Sequence, residues 1–210
     1  MTKVKICGIT NLEDALAAVE AGAEMLGFNF YRRSPRYIDP AGARRIVERL
    51  PAGVLSVGVF VNEEGPEAVS RVASEAGVGA AQLHGAETPE FCAALGGLMT
   101  IKALRVGEDF EVESVSAFPV GAVLLDAYVR GEWGGTGRTF DWSLSRRARE
   151  LTPRLILAGG LTPENVAAAV AAVGPFAVDA CSGVEVAPGR KSPALVRRFV
   201  EAARGGTVGA

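Results

Sequence analysis

The chain has 210 residues, 49% of them apolar and 22% charged, with a net charge of −2. This is ordinary globular composition with enough apolar material for one sizeable core, and it lacks the basic excess that would neutralise a nucleic-acid backbone. No segment reaches the roughly 18 uncharged apolar residues of a membrane span, and Met1-Thr2-Lys3-Val4 runs into a strand-like stretch without a long apolar signal region, so a cytoplasmic protein with no nucleic-acid or membrane partner is expected.

In chain order, short apolar runs rich in strand formers occupy residues 4–7, 25–30, 55–61, 79–84, 99–103, 122–126, 155–158 and 176–180, eight in all. Stretches with helical periodicity separate them. Leu12, Leu16 and Val19 fall on one face, as do Val69, Val72 and Ala76, and Leu195, Phe199 and Val200. Helix starts are marked. Thr10-Asn11-Leu12-Glu13 fits a capping box with Thr10 as the cap. Asp39-Pro40, Thr88-Pro89, Thr162-Pro163 and Ser192-Pro193 each set a capping residue before a proline at the first helical position. Thr152-Pro153 precedes a strand and reads as a loop.

Alternating β and α segments call for a parallel sheet with helical crossovers. Eight units in 210 residues suit the compact end of closed barrels, which run from roughly 200 residues upward. A doubly wound open sheet fits the alternation too, but eight units favour closure. The expected fold is α/β, a single (β/α)8 TIM barrel over residues 1–204, with 205–210 a Gly-rich tail that frays.

In such a barrel the chemistry sits at the carboxyl ends of the strands, and reactive residues gather there. Cys7 ends the first strand, His84 the fourth and Asp126 the sixth, Asp179 lies near the end of the eighth, and Arg36 follows the second. A thiol near a helix N-terminus, as Cys7 is, can ionise more easily than usual; the alternative is a space-filling cysteine. Asp126 on a buried strand needs partners or a task, either as a protonated acid or as a cap or ion-pair partner. Arg36 can grip a carboxylate bidentately. His84 is the only histidine, which argues against metal catalysis and leaves it as a base or a hydrogen-bonded rim residue. Ala158-Gly159-Gly160 and Cys181-Ser182-Gly183 follow strands seven and eight, where freed backbone N–H groups make an anion cradle. Glu132-Trp133-Gly134-Gly135-Thr136-Gly137-Arg138-Thr139 departs from a nucleotide-binding loop at Glu132 and Arg138 and reads instead as a loop over a substrate. Trp133 and Trp142 are candidates for stacking or packing. Cys7, Cys92 and Cys181 are odd in number and widely spaced, against a disulfide framework or zinc site.

Lys5-Ile6-Cys7-Gly8-Ile9-Thr10 resembles the opening motif of the phosphoribosylanthranilate isomerase family of tryptophan biosynthesis. Gly27-Phe28-Asn29-Phe30, Ser34-Pro35-Arg36-Tyr37-Ile38, Val57-Gly58-Val59-Phe60-Val61-Asn62, Gln82-Leu83-His84-Gly85, Leu125-Asp126, Gly134-Gly135-Thr136-Gly137 with Phe140-Asp141-Trp142, Ala158-Gly159-Gly160-Leu161, and Asp179 with Ser182-Gly183-Val184-Glu185 follow in the family's order. The resemblance implies an Amadori rearrangement of N-(5-phosphoribosyl)anthranilate to 1-(2-carboxyphenylamino)-1-deoxyribulose 5-phosphate, with no cofactor or metal. It puts the general base on Cys7, the general acid on Asp126, the carboxylate grip on Arg36, and the phosphate at Gly159, Gly160, Ser182 and Gly183. His84 and Asp179 join the substrate-binding set, Asp179 toward a ribose hydroxyl. Cys181 stands where the family usually carries Ser or a similar small residue. The partner is a phosphorylated small molecule, and a homodimer stays open.

Two other readings fit less well. Pentulose-phosphate epimerases rely on a metal and several histidines, and the related histidine-pathway isomerase uses paired aspartates where Cys7 stands. A phosphate-binding sensor needs no acid–base pair.

Overall fold

The structure is a computed structural model that describes residues 1–107, 110–126 and 142–205. The expected loop at Gly134-Gly135-Thr136-Gly137, Trp133, Phe140-Asp141 and tail residues 206–210 lie outside the described residues.

Eight parallel strands close on one another in chain order. They are β1 (Lys3–Cys7), β2 (Met25–Asn29), β3 (Leu55–Phe60), β4 (Ala80–Leu83), β5 (Met99–Arg105), β6 (Ala122–Asp126), β7 (Leu155–Ala158) and β8 (Ala177–Ala180). Pairing of β1 with β8, from Lys3 opposite Ala177 to Ile6 opposite Ala180, excludes the open-sheet alternative. The crossovers are α1 (Leu12–Glu20), α2 (Pro40–Val47), α3 (Pro66–Ala76), α4 (Pro89–Ala94), α5 (Trp142–Leu151), α6 (Val166–Val173) and α7 (Pro193–Ala203). Between β5 and β6 the described helical segment is a 3-10 helix, Val112–Ala117. Between β8 and α7 the chain makes a 3-10 turn, Ser182–Val184, and then an antiparallel hairpin of β9 (Glu185–Ala187) and β10 (Arg190–Lys191).

Successive strand residues face opposite sides, so each strand feeds two cores. Met25, Val57, Ala80, Ile101, Ala103, Ala122, Leu124, Ile156, Ala158 and Ala177 fill the barrel interior. Val4, Ile6, Leu26, Phe28, Leu83, Val123, Leu125, Leu157 and Val178 face outward into the layer under the helices, with Val69, Ala73, Val196 and Phe199.

The proline-marked starts of α2, α4 and α7 form as expected: Asp39, Thr88 and Ser192 accept from the backbone N–H of Gly42, Phe91 and Leu195. Two starts differ. Asn11, not Thr10, caps α1, accepting from Asp14 N at 2.8 Å. The Thr10 hydroxyl is committed elsewhere, donating to the Gly189 carbonyl at 2.6 Å. Thr162-Pro163 opens a turn, and α6 begins only after Asn165. The Asn165 carboxamide accepts from Thr162 N at 2.8 Å and donates to Gly160 O at 3.0 Å, which ties this turn to the loop after β7. The buried face of α1 also differs. It runs through Asp14, Ala15 and Ala18, while Leu16 is 42% exposed. Thr152-Pro153 is a loop, as read.

Candidate active site

Strand parity sets the site. Cys7 and Lys5 share one face of β1, Asp126 follows Ala122 and Leu124 on the inner face of β6, and Asp179 follows Ala177 on β8. All therefore project into the barrel mouth, at its carboxyl end.

Two glycines make room there. A Cβ on Gly27 would stand 2.7 Å from Cys7 Sγ and 3.1 Å from Lys5 Nζ. Gly8, at φ +78°, turns the chain away from β1, and a Cβ there would meet Arg36 Cδ at 2.7 Å and Cys181 Sγ at 3.1 Å. The thiol, the guanidinium stem and the second thiol thus meet around backbone without side chains.

Cys7 is buried yet its thiol pKa is held well below the ordinary range. The largest cause is a hydrogen bond with Cys181; burial pushes the other way, and the Lys5 and Lys191 charges add to the lowering. In this pair the Cys181 thiol keeps its proton and donates, and its own pKa is pushed up for that reason and by burial. Lys191 Nζ lies 3.9 Å from Cys181 Sγ and 3.3 Å from its carbonyl oxygen. Lys5 is wholly buried, with Nζ 3.1 Å from both oxygens of Asp179. Burial alone would favour neutral lysine; the Asp179 and Cys7 charges outweigh it, and its pKa is raised. Asp179 is pushed up to about 7, chiefly by burial, with Lys5 pulling it back down.

Asp126 and His84 meet across the mouth, Oδ2 to Nε2 at 3.3 Å. Gln82 Nε2 stands 2.9 Å from His84 Nδ1. With Gln82 donating there, the imidazole carries its proton on Nε2 and presents it to Asp126. The carbonyls on either side of His84 are tethered: Lys102 Nζ lies 3.3 Å from Leu83 O and 2.7 Å from Gly85 O, and 2.7 Å from Glu87 Oε2.

Arg36 reaches the mouth from the loop after β2, where it is engaged by Glu185. At the ends of β7 and β8, Gly159 and Gly160 have φ of +92° and +64°, and Ser182 and Gly183 open the 3-10 turn. A Cβ on Gly183 would run into the Leu161 carbonyl oxygen, so the two loops are in direct contact.

Among the described residues, Cys7, Arg36, His84, Asp126, Gly159, Gly160, Asp179, Ser182 and Gly183 thus all lie at the carboxyl face. Lys5, Gln82, Glu185 and Lys191 complete the arrangement without having been singled out in the sequence. For Lys5 and Gln82 a signal existed: each stands two residues before a candidate on the same strand face. In the sequence Glu185 stands only as the last residue of the Ser182-Gly183-Val184-Glu185 motif and Lys191 without a role, because Arg36 and Asp14, which they meet, lie far away in the chain. Among the described residues no three His, Cys, Asp or Glu side chains gather as a metal site.

Residues 4–202 match the family model of N-(5'-phosphoribosyl)anthranilate isomerase. The chain belongs to this family. The curated protein of that name from Trichlorobacter lovleyi is 50% identical over 204 residues, covering 97% of this chain and 98% of its own. The crystal structure of phosphoribosylanthranilate isomerase from Thermotoga maritima superposes with a TM-score of 0.89 at 48% identity, covering 98% of this chain and all of that one. A structure of the isomerase in complex with reduced 1-(o-carboxyphenylamino)-1-deoxyribulose 5-phosphate superposes with a TM-score of 0.86 at 46% identity and covers 98% and 100% of the two chains. Isomerase family and (β/α)8 barrel, the two broadest expectations from the sequence, therefore stand.

Proposed function

We propose that this barrel carries out the isomerisation for which its family is named, converting N-(5'-phosphoribosyl)anthranilate to the deoxyribulose phosphate with Cys7 as general base and Asp126 as general acid. The observation that carries the reading is Cys7, a thiol at the barrel mouth whose surroundings favour the thiolate. A space-filling cysteine needs no such surroundings; a base does.

Asp126 delivers a proton to the ribose ring oxygen, the C1′–O bond opens, and the anthranilate nitrogen becomes a Schiff base. The carboxylate left on Asp126 is received by His84 Nε2–H. This interaction strengthens as the charge develops, which is the form of binding that speeds a chemical step. The Cys7 thiolate then takes the C2′ proton, giving an enolamine that tautomerises to the ketose. The substrate gains one proton from Asp126 and gives one to Cys7, so its composition is unchanged. Return of a proton from the Cys7 thiol to the Asp126 carboxylate, by way of C1′ and the C2′ hydroxyl in the tautomerisation or of solvent, resets the pair, and no external oxidant, metal or cofactor enters.

Arg36 grips the anthranilate carboxylate. The N–H groups of Gly159, Gly160, Ser182 and Gly183 hold the phosphate, and Asp179 takes a ribose hydroxyl. A homodimer in the cytoplasm belongs to the same reading, since the Thermotoga maritima relative is described as dimeric.

The test generates phosphoribosylanthranilate in situ from anthranilate and phosphoribosyl pyrophosphate and follows loss of its fluorescence. Wild type should turn over, and Cys7→Ser and Asp126→Asn should each lose roughly a hundredfold or more in kcat. A folded wild type without turnover would end the isomerase reading. Full activity in either variant would remove that residue from the mechanism.

A further inference from the structure

Two segments far apart in the chain, the loop after β2 and the hairpin of β9 and β10, meet on one buried carboxylate. Arg36 Nε lies 2.9 and 3.1 Å from Glu185 Oε1 and Oε2, and its Nη2 lies 2.7 Å from Oε2. Lys191 Nζ lies 2.7 Å from Oε1, and Gly189 N donates to the same oxygen at 3.2 Å. The Glu185 side chain is 5% exposed, whereas that of Arg36 is 22% exposed.

The hairpin is what makes this possible. Glu185 on β9 and Lys191 on β10 are register partners. The excursion is fastened to the β1 end by Thr10 Oγ1 donating to Gly189 O at 2.6 Å and by Lys191 N donating to Asp14 Oδ2 at 2.8 Å. The carboxylate is therefore held from its own side, and Arg36 is the member with the long, rotatable stem.

A guanidinium has five N–H donors arranged as two forks, one along Nε and Nη2 and one along Nη1 and Nη2. Glu185 fills the first. Among the described residues Nη1 has no hydrogen-bond partner, so the second fork stays open.

We propose that Glu185 is a positioning residue for substrate selection. It fixes the plane of Arg36 so that the Nη1/Nη2 fork, and not the Nε edge, meets the carboxylate of the aromatic amine. This rests on the reading of Arg36 as the carboxylate grip. It adds that selectivity for an aryl group bearing a carboxylate is built by the hairpin rather than by Arg36 alone.

The test uses two ligands, the reduced aminodeoxyribulose phosphate with its ring carboxylate and the same compound without it, titrated against wild type, Glu185→Gln, Glu185→Ala, Arg36→Met and the Arg36→Met/Glu185→Ala double variant. Loss of orientation should weaken the carboxylate ligand roughly tenfold in Glu185→Ala, the scale expected when one bidentate contact loses its preorganisation. The carboxylate-free ligand should change less than about twofold, because it never uses the fork. Glu185→Gln, which keeps an oxygen for Nε–H and the side-chain shape, should retain most of the discrimination. In the Arg36→Met background Glu185→Ala should add nothing. KM for substrate should rise with kcat nearly unchanged.

Equal weakening of both ligands, or additivity with Arg36→Met, would overturn the positioning role and mark Glu185 as structural. If Arg36→Met itself binds both ligands like wild type, the Arg36 reading fails, which is a separate result. Should Glu185→Ala not fold, Glu185→Met, which keeps the side-chain volume but offers no acceptor to Nε–H, takes its place: selective weakening of the carboxylate ligand sustains the proposal, and equal weakening of both ligands, or of neither, overturns it.

Discussion

Lys5 and Asp179 are register partners on the two strands that close the barrel, and the Lys5 ammonium stands 3.1 Å from both carboxylate oxygens of Asp179. The same ammonium also faces Cys7. One buried cation thus serves two acids. The thiol is moved down chiefly by its hydrogen bond with Cys181, with this charge adding to the effect, and the carboxyl group is moved up to about 7 chiefly by burial, with this charge pulling it back. Near neutral pH Asp179 is about half protonated.

Lys5→Met removes the shared cation. Asp179 then holds its proton, and Cys7 loses one of the charges that favour its thiolate. The acid limb of the pH profile for alkylation of Cys7 by iodoacetamide, followed on the modified peptide, should move to higher pH by about one unit, the scale of one lost charge interaction. An unchanged profile would mean that the Cys181 hydrogen bond alone sustains the thiolate.

Asp179 also sets a pH dependence of stability. Between the unfolded aspartate pKa, about 3.9, and the folded value of about 7, the folded chain carries a proton that the unfolded chain has released. Stability from this residue is complete below the lower value and is lost as the pH rises through the upper one. Urea unfolding at pH 5 and pH 8 should show wild type losing roughly 2–3 kcal/mol more than Asp179→Asn across that interval, at 1.36 kcal/mol per pKa unit. Parallel curves would mean that Asp179 is ionised throughout.

Cys181 offers a sharper probe of the base. Its thiol donates to Cys7, and a hydrogen bond to an ionised group has a net worth of about 1.5–3 kcal/mol, or one to two pKa units. Cys181→Ala should move the acid limb of the kcat/KM profile to higher pH by about one unit. Cys181→Ser, whose hydroxyl still donates, should move it less. Superimposable profiles for wild type and Cys181→Ala would remove the second thiol from the account of Cys7.

The strands and the proline-marked caps at Asp39, Thr88 and Ser192 were legible because they follow from local chemistry. Alternation in β1 and β4 also holds an unused signal, since it sets Lys5 on the face of Cys7 and Gln82 on the face of His84. What escaped depended on partners far away in sequence. Thr10 and Asn11 are both competent caps, and the choice was made by a carbonyl 179 positions away that claims the Thr10 hydroxyl. Leu16 suggested a leucine face on α1, but Ala15 and Ala18 are the buried residues, small enough to bring helix and barrel close. Glu185 and Lys191 carry no assigned role until the hairpin sets them opposite each other and Glu185 against Arg36.

A similar long-range ion pair supports His84. The side chains of Lys102 and Glu87 are each 2% exposed and 2.7 Å apart, and the ammonium also holds the carbonyls of Leu83 and Gly85. Glu87 in turn accepts from Asn62 N at 2.8 Å and Gly85 N at 2.9 Å, joining the loops after β3 and β4. Lys102→Met leaves a buried carboxylate without its cation, a change that costs about 3–5 kcal/mol in such pairs. Lys102→Met/Glu87→Leu removes both charges together and should recover much of that stability in urea. It should not recover activity, because the tethers on either side of His84 stay broken and the Nε2 contact to Asp126 is no longer held in place. Recovery of both stability and kcat in the double variant would mean that the pair is a packing feature with no hold on the imidazole.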